Sequence, residues 1–225
     1  PGVQLSGLRG TMAELADELE SILLRLIRRR MIADVPLGAF LSGGVDSSTV
    51  VALMTKALGG TVKTFSIGFE NAPDETEHLF ARQIAQHLGT DHHDRVLELD
   101  VLPLMHHIGT VLDEPNGDSS CLPTFLVSKI AKEQVTVCLS GDGGDEMFGG
   151  YGRYFATLQD EAKLADFDAG RQYFGSRMLI YCDDHLAELF GNVPPRTAAL
   201  LSSLRRRMGR DPGPLLHRMR AYDAA

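Results

Sequence analysis

Phe40-Leu-Ser-Gly-Gly-Val-Asp-Ser-Ser48 is the stretch from which the rest of the chain can be read. Before it, 38–41 is a short apolar run with the character of a buried strand. After it, 45–58 repeats apolar residues at helical spacing and ends on Gly59-Gly60. Between strand and helix lies a turn of glycines and serines. Such a turn lets backbone N–H groups approach an anion with no Cβ in the way. The helix N-terminus adds partial positive charge, and Ser42, Ser47 and Ser48 add hydroxyl donors. The segment reads as a phosphate cradle. It lacks the lysine and the GxxxxGK(S/T) spacing of a Walker A loop, and it is not the GxGxxG dinucleotide fingerprint. A plain Gly-Gly turn with serine helix caps accounts for the glycines and one serine, but not for the whole run after a buried strand.

Working outward, short apolar runs alternate with helical patterns. Thr11-Met-Ala-Glu14 is a capping box, and Met12, Leu15, Leu19, Ile22, Leu23, Leu26 and Ile27 continue from it as an amphipathic helix to about residue 32. Arg28-Arg29-Arg30 complements the dipole at that helix's C-terminus on a solvated face. Downstream, strands are expected at 62–69, 94–99 and 135–139, and helices at 74–88, 101–112 and 122–133. This alternation predicts an α/β fold, a mostly parallel twisted sheet with helices on both faces, in which ligands sit at the carboxyl ends of the strands. Residues 1–10 read as a linker or tail, 11–155 as the main domain, and 156–225 as a partial helical subdomain.

The chain has 225 residues, enough for one large domain with a small appendage. Its 22 basic and 30 acidic residues give a net charge of −8, which repels nucleic acid and anionic membranes. Cys121, Cys138 and Cys182 show no CxxC or Cys/His spacing, so they read as thiols in a reducing cytoplasm. No apolar run approaches the roughly 18 residues of a membrane span, and no signal-peptide pattern occurs. The chain begins at Pro1 and stops at Ala225 within a helix-like pattern, so it is expected to be a piece of a longer polypeptide.

A second loop, Cys138-Leu-Ser-Gly-Asp-Gly-Gly-Asp-Glu-Met-Phe-Gly-Gly-Tyr151, follows another buried strand. Asp142, Asp145 and Glu146 among so many glycines are poor core material but suit a strand end facing a metal-bound polyphosphate. On its own, such a turn is more often a solvated surface loop, and the EF-hand spacing that would make it a calcium site is absent.

The first loop resembles, residue for residue, the SGGxDS pattern of the PP-loop ATP pyrophosphatases. The two loops together, with the intervening stretch from Leu112-Asp-Glu-Pro-Asn to Val127-Ser-Lys129, closely resemble the asparagine synthetase (glutamine-hydrolysing) family over about residues 19–154. That resemblance implies a synthetase domain using ATP and Mg²⁺. The phosphates would lie on Ser42, Gly43, Gly44, Asp46, Ser47 and Ser48, and adenine or ribose on the backbone of Leu41, Ile67, Ser140 and Gly141. Asp46 and Asp145 would hold Mg²⁺. Asp142 stands where some family members have Glu, an acid associated with the intermediate and with ammonia attack. The loop at 114–120 would close over aspartate and pyrophosphate.

By the same resemblance, the aspartate side-chain carboxylate is adenylated with release of pyrophosphate. Ammonia, drawn from glutamine by a glutaminase domain that these 225 residues do not contain, then displaces AMP. A homodimer is expected for the complete protein. The later helices with a phosphate-facing lysine are also missing, so this chain is expected either to bind ATP weakly or to catalyse nothing by itself. Two other readings stay open. One is a relative that adenylates another carboxylate, as a β-lactam synthetase or an envelope amidotransferase does. The other is an adenine-nucleotide-binding module without turnover.

Several conspicuous side chains read as ordinary. His92-His93 precedes an expected strand and His106-His107 lies in a helix pattern. Adjacent histidines point to different faces, a poor geometry for one metal. Arg205-Arg-Arg207 reads as a solvated helix face, and the methionines as core filler.

Overall fold

The computed structural model describes residues 10–70, 77–98, 100–112, 118 and 120–161. In chain order these form α1 (Met12–Arg30), β1 (Leu37–Phe40), α2 (Val45–Leu58), β2 (Lys63–Phe69), α3 (Glu77–Leu88), β3 (Asp91–Leu97), α4 (Val101–Val111), α5 (Cys121–Ala131), β4 (Val137–Leu139), α6 (Gly144–Phe148) and α7 (Gly152–Glu161). The tail at 1–9, most of the 114–120 loop, Cys182, Arg205–Arg207 and the helical stretch expected after 161 lie outside the described residues. The chain divides into two compact units, Pro1–Asp142 and Gly143–Ala225.

Helix α1 starts where its capping box predicts. The Glu14 N–H donates to Thr11 Oγ1 at 3.3 Å, and the Thr11 N–H donates to Glu14 Oε2 at 2.8 Å. These bonds hold the Glu14 carboxyl below its ordinary range.

The sheet of the first unit is wholly parallel, in the order β3-β2-β1-β4. Gly38 of β1 sits beside Lys63 of β2 on one side and Cys138 of β4 on the other. Strand alternation sends successive side chains to opposite faces, so each face needs its own cover. Ala39 and Leu41 turn to a core built with Ile27 of α1, Val51, Leu53 and Met54 of α2, and Ala81 and Ala85 of α3. Phe40 and Phe65 turn the other way, to Ile130 and Ala131 of α5 and to Val135. Phe65 is completely buried, which stabilises the fold by about 2–3 kcal/mol relative to an exposed ring. Helices therefore cover both faces, as the alternation of elements predicts.

Two strands differ from the sequence expectation by more than one residue. Strand β3 begins at Asp91 rather than 94, so His92 and His93 lie within it. Polar residues make up its first half because they meet polar groups on β2. The Thr64 hydroxyl lies 2.9 Å from His92 Nδ1, and the Ser66 hydroxyl 3.2 Å from Nε2 of the same ring. His93, on the opposite face, stacks on Phe65 with ring centroids 5.4 Å apart. Both histidines pack, and they do so on different faces. Strand β4 starts at 137, because the Val135 N–H still donates to the Ala131 carbonyl at the end of α5.

His92 makes the fold sensitive to pH. Burial pushes its imidazole below the ordinary 6.5, the nearby Asp94 opposing only in part. The unfolded chain therefore binds the proton more readily, and stability rises with pH through this window. The melting temperature is expected to fall as pH drops below about 6.5. His92→Gln should flatten that part of a melting-temperature profile measured between pH 5 and 8.

Candidate active site

β1 lies between β2 and β4, so the chain leaves β1 toward one side of the sheet and later returns on its other side. That reversal makes the gap between the carboxyl ends of β1 and β4 the topological switch point, where open α/β sheets form their crevice. The loop after β1 carries residues 41–44, and the loop after β4 begins with Ser140-Gly-Asp142.

The first loop is held by its own hydroxyls. The Ser42 N–H donates to Ser47 Oγ at 3.2 Å, and the two serine hydroxyls lie 3.0 Å apart. Ser42 Oγ accepts the Gly44 N–H at 3.3 Å, while Ser48 Oγ donates to the Gly44 carbonyl at 2.6 Å. Ser47 is buried at the centre of this network. Ser47→Ala leaves the Ser42 N–H without that acceptor, so it is expected to cost about 1–3 kcal/mol, read by urea unfolding. Ser48→Ala should cost less than about 1 kcal/mol, because the Gly44 carbonyl keeps the Ser48 N–H as its helical donor.

Gly44 is the N-cap of α2 and offers no side chain to its first turn. The N-cap residue itself therefore adds no side-chain acceptor to the N–H groups that every helix start leaves without intrahelical acceptors. Gly43 takes a φ of +88°, in the left-handed region. A Cβ there would lie 2.7 Å from the Ala81 N and Phe80 Cβ, and 2.9 Å from the Glu77 carbonyl. The first two turns of α3 are therefore the floor of the loop. The sequence reading missed this floor. Ala81 and Ala85, small residues four apart and both buried, are the signal of a helix face that other backbone can approach.

Gly141 brings the second loop onto the first. A Cβ at this position would sit 2.6 Å from the Ser47 N and 2.9 Å from the Asp46 carbonyl carbon. The backbone after β4 thus lies directly on the Asp46–Ser47 peptide. Ser140 Oγ donates to Asp142 Oδ2 at 2.8 Å, fixing an exposed carboxylate beside that junction. Leu41 buries its side chain in the core and gives its N–H to the Phe65 carbonyl at 2.9 Å, leaving the strand end as backbone. Ile67 is half-buried on β2, against the Phe65 cluster.

The remaining acids of the second loop belong to the second unit. There Asp145 lies in α6, and its carbonyl accepts the N–H groups of Gly149 and Gly150 at 2.8 and 3.1 Å. Tyr151 donates its hydroxyl to Glu146 at 2.6 Å, which lowers the Glu146 carboxyl and raises the tyrosine. The Arg153 guanidinium stacks over the Tyr151 ring, 3.5 Å from its centroid. The first unit thus joins Ser42, Gly43, Gly44, Asp46, Ser47, Ser48, Ser140, Gly141 and Asp142, while Asp145 and Glu146 are placed in the second. Among the described residues, no three His, Cys, Asp or Glu side chains form a metal cage.

A parallel sheet with a small-residue loop at its switch point, joined there by an acidic second loop, is the arrangement of the PP-loop ATP pyrophosphatase superfamily. Residues 18–208 match the family model described as Asparagine synthase, and the chain belongs to that family. It is 46% identical over 140 residues to a Methanocaldococcus jannaschii protein that carries a provisional asparagine synthetase (glutamine-hydrolyzing) name, covering 61% of this chain and 27% of that one. It is 38% identical over 150 residues to asparagine synthetase (glutamine-hydrolyzing) 1 of Bacillus subtilis, covering 64% and 23%. The chain spans about a quarter of the length of these curated relatives. Among solved structures it is similar to an NH3-dependent NAD synthetase from Campylobacter jejuni, with 16% identity, a TM-score of 0.43, and coverage of 87% of this chain and 97% of that one. No helix among the described residues is long and apolar enough to cross a membrane.

Proposed function

We propose that this chain is the adenylating part of a glutamine-dependent asparagine synthetase. The observation that carries the reading is the contact of Gly141 with the Asp46–Ser47 peptide, which sets the two loops against one another at the switch point. The family membership and the relatives' names support the choice of aspartate.

In this reading the phosphates of ATP lie over residues 42–48, where the first-turn N–H groups of α2 and the helix dipole favour negative charge. The glycine at 43 lets the loop rest on α3, and the glycine at 141 lets the second loop rest on the first, which shapes this cradle. Leu41, Ile67, Ser140 and Gly141 bound the adenosine. The aspartate β-carboxylate oxygen forms a bond to the α-phosphorus as the bond from that phosphorus to the bridging oxygen breaks, and pyrophosphate leaves. Ammonia then attacks the acyl carbon, the carbon–oxygen bond breaks, and AMP departs with the electron pair. Asp142, oriented by Ser140, is the carboxylate assigned to take the proton that the attacking nitrogen must lose. Preorganised N–H donors supply most of the stabilisation, because charge accumulates on the leaving pyrophosphate.

Asp46 and Asp145 are the residues that would hold Mg²⁺, which neutralises pyrophosphate charge when bound. A Mg²⁺ carried on phosphates takes only one or two carboxylates, so a closed protein cage is not required of either residue. The domain reading, with a nucleotide-binding body at 11–155 and a helical subdomain after it, belongs to the same proposal.

The test is ATP-dependent pyrophosphate release with aspartate and ammonia, by this chain alone and by the chain joined to the segments its relatives carry beyond it. Release that requires aspartate supports the proposal; release only with another carboxylate reassigns the substrate. Asp46→Asn is expected to lower release by about a hundredfold or more and to remove the Mg²⁺ dependence of ATP binding in calorimetry. ATP binding that ignores both Mg²⁺ and this substitution would identify a nucleotide-binding module instead.

A further inference from the structure

We propose that His78 is a nucleoside-recognition residue, whose imidazole Nε2–H donates to the ribose or the base of bound ATP. This rests on the reading of the chain as an ATP-dependent adenylating domain, and it adds a side chain that belongs to neither loop.

His78 lies in the first turn of α3, among the residues that form the floor of the phosphate loop. The Glu77 carbonyl, the Phe80 Cβ and the Ala81 N are the atoms that a Cβ on Gly43 would meet. His78, Ala81 and Ala85, spaced i, i+3, i+7, share the face of α3 that turns to the sheet. The His78 ring lies on Gly68 of β2, where a Cβ would be 2.6 Å from its Nδ1 and 2.7 Å from its Cγ. Strand β1 ends at Phe40, level with Phe65, and there the phosphate loop begins. Strand β2 continues to Phe69. Gly68 therefore stands about 10 Å beyond that level, in a wall beside the loop and directly after Ile67.

The two ring nitrogens differ. Nδ1 is sealed from solvent and makes no hydrogen bond among the described residues. His93 Nε2 is sealed in the same way, but an Asp91 carboxylate oxygen lies 3.2 Å from it. His78 enters no ion pair among the described residues. A buried polar atom left unsatisfied is destabilising, and an apolar side chain would cover Gly68 without that cost. Packing alone does not explain a histidine here. Nε2 of His78 is neither sealed nor bonded among the described residues. A sealed N–H with no acceptor is rarer than an unsatisfied lone pair, so the proton of the neutral ring belongs on Nε2. The ring thus presents one fixed donor at the crevice wall. Ribose hydroxyls and the ring nitrogens of a base are acceptors for it; the phosphates are served by the loop.

Isothermal titration of the 225-residue chain with the Mg²⁺ complexes of ATP, 2′-deoxy-ATP and inorganic tripolyphosphate tests this. His78→Leu is expected to weaken ATP binding about three- to tenfold, the worth of one neutral hydrogen bond. Tripolyphosphate binding should be unchanged. His78→Gln carries its amide N–H where Nε2 stands and should restore the affinity, whereas the amide of His78→Asn reaches only as far as Nδ1 and should not. If His78→Leu costs nothing further against 2′-deoxy-ATP, the acceptor is the 2′-hydroxyl; an equal loss places it elsewhere on the nucleoside. Without ligand, the Leu variant should melt about 2–4 °C above the wild type, because the sealed nitrogen is gone. A Leu variant that binds ATP as the wild type does overturns the proposal. So does one that loses ATP and tripolyphosphate alike, which would make His78 part of the loop's scaffold. A wild-type chain that binds tripolyphosphate as tightly as ATP overturns this role and leaves the cradle standing, and one that binds neither overturns the adenylating reading as well.

Discussion

Gly43→Ala is expected to destabilise the protein by about 3 kcal/mol or more, the largest effect of any single substitution in the first loop. Two costs combine. The φ of +88° belongs to a region where a Cβ is strained, at about 1–2 kcal/mol. The new methyl also meets the backbone N of Ala81 at 2.7 Å and the Glu77 carbonyl at 2.9 Å, groups that cannot swing aside as a side-chain tip does. Forcing a methyl into such a contact costs a further 1–3 kcal/mol or so. For a chain of this size the melting temperature should fall by about 10 °C. Gly60→Ala is the control, since a Cβ there meets only the Leu58 side chain at 3.8 Å. It should change stability by less than about 1 kcal/mol. Equal melting temperatures for the two variants would show that the loop does not rest on α3 as described.

Gly141→Ala isolates the junction of the two loops. Its backbone φ lies outside the left-handed range, so conformational strain does not enter. The methyl would lie 2.6 Å from the Ser47 N, where ordinary contact begins at 3.4 Å, so the loops must part by most of an ångström. Overpacking of this kind costs about 1–3 kcal/mol of stability. The larger effect is expected on turnover. A displacement near 1 Å of groups that position a substrate lowers rate by about a hundredfold, so pyrophosphate release should fall by that order at temperatures where the variant remains folded. A variant that loses stability but keeps full turnover would place the junction in the scaffold and outside the site. Comparing melting temperature with rate separates the two.

The parallel sheet and its helices were legible because the apolar runs keep strict periods. The capping box at Thr11 and the run from Val45 to Gly59 have local causes, and local causes can be read from neighbouring residues. The start of β3 was not legible. Asp91-His-His-Asp94 has the composition of a loop, and it becomes a strand only because Thr64 and Ser66 on β2 offer hydroxyls to His92. The site divides the same way. Ser42, Ser47 and Ser48 were recognisable as a cluster of hydroxyls, but not as bonds that fasten the loop to itself. Gly43 was recognisable as a glycine in a cradle, and Gly141 only, by resemblance, as a backbone contact to the nucleoside. What each one touches is set by α3 and α2, elements whose approach no short motif encodes. The division of the chain after Asp142, within the second loop, is likewise a property of packing and leaves no mark in a continuous glycine-rich run.

The order β3-β2-β1-β4 also governs how the protein can be made. Three of its strands are complete by Leu97, but the fourth is not finished until Leu139, and it pairs with residues 37–39 some hundred positions earlier. On a ribosome the early part of the sheet can form while one side of β1 still lacks its neighbour. That side is an open hydrogen-bonding edge at the centre of the future fold. Closing it depends on a contact of long sequence separation, the slow class of folding step. The junction of the two loops is therefore the last part of the first unit to be completed, and a nascent chain halted before 137 presents its most hazardous surface beside the place where that junction will form.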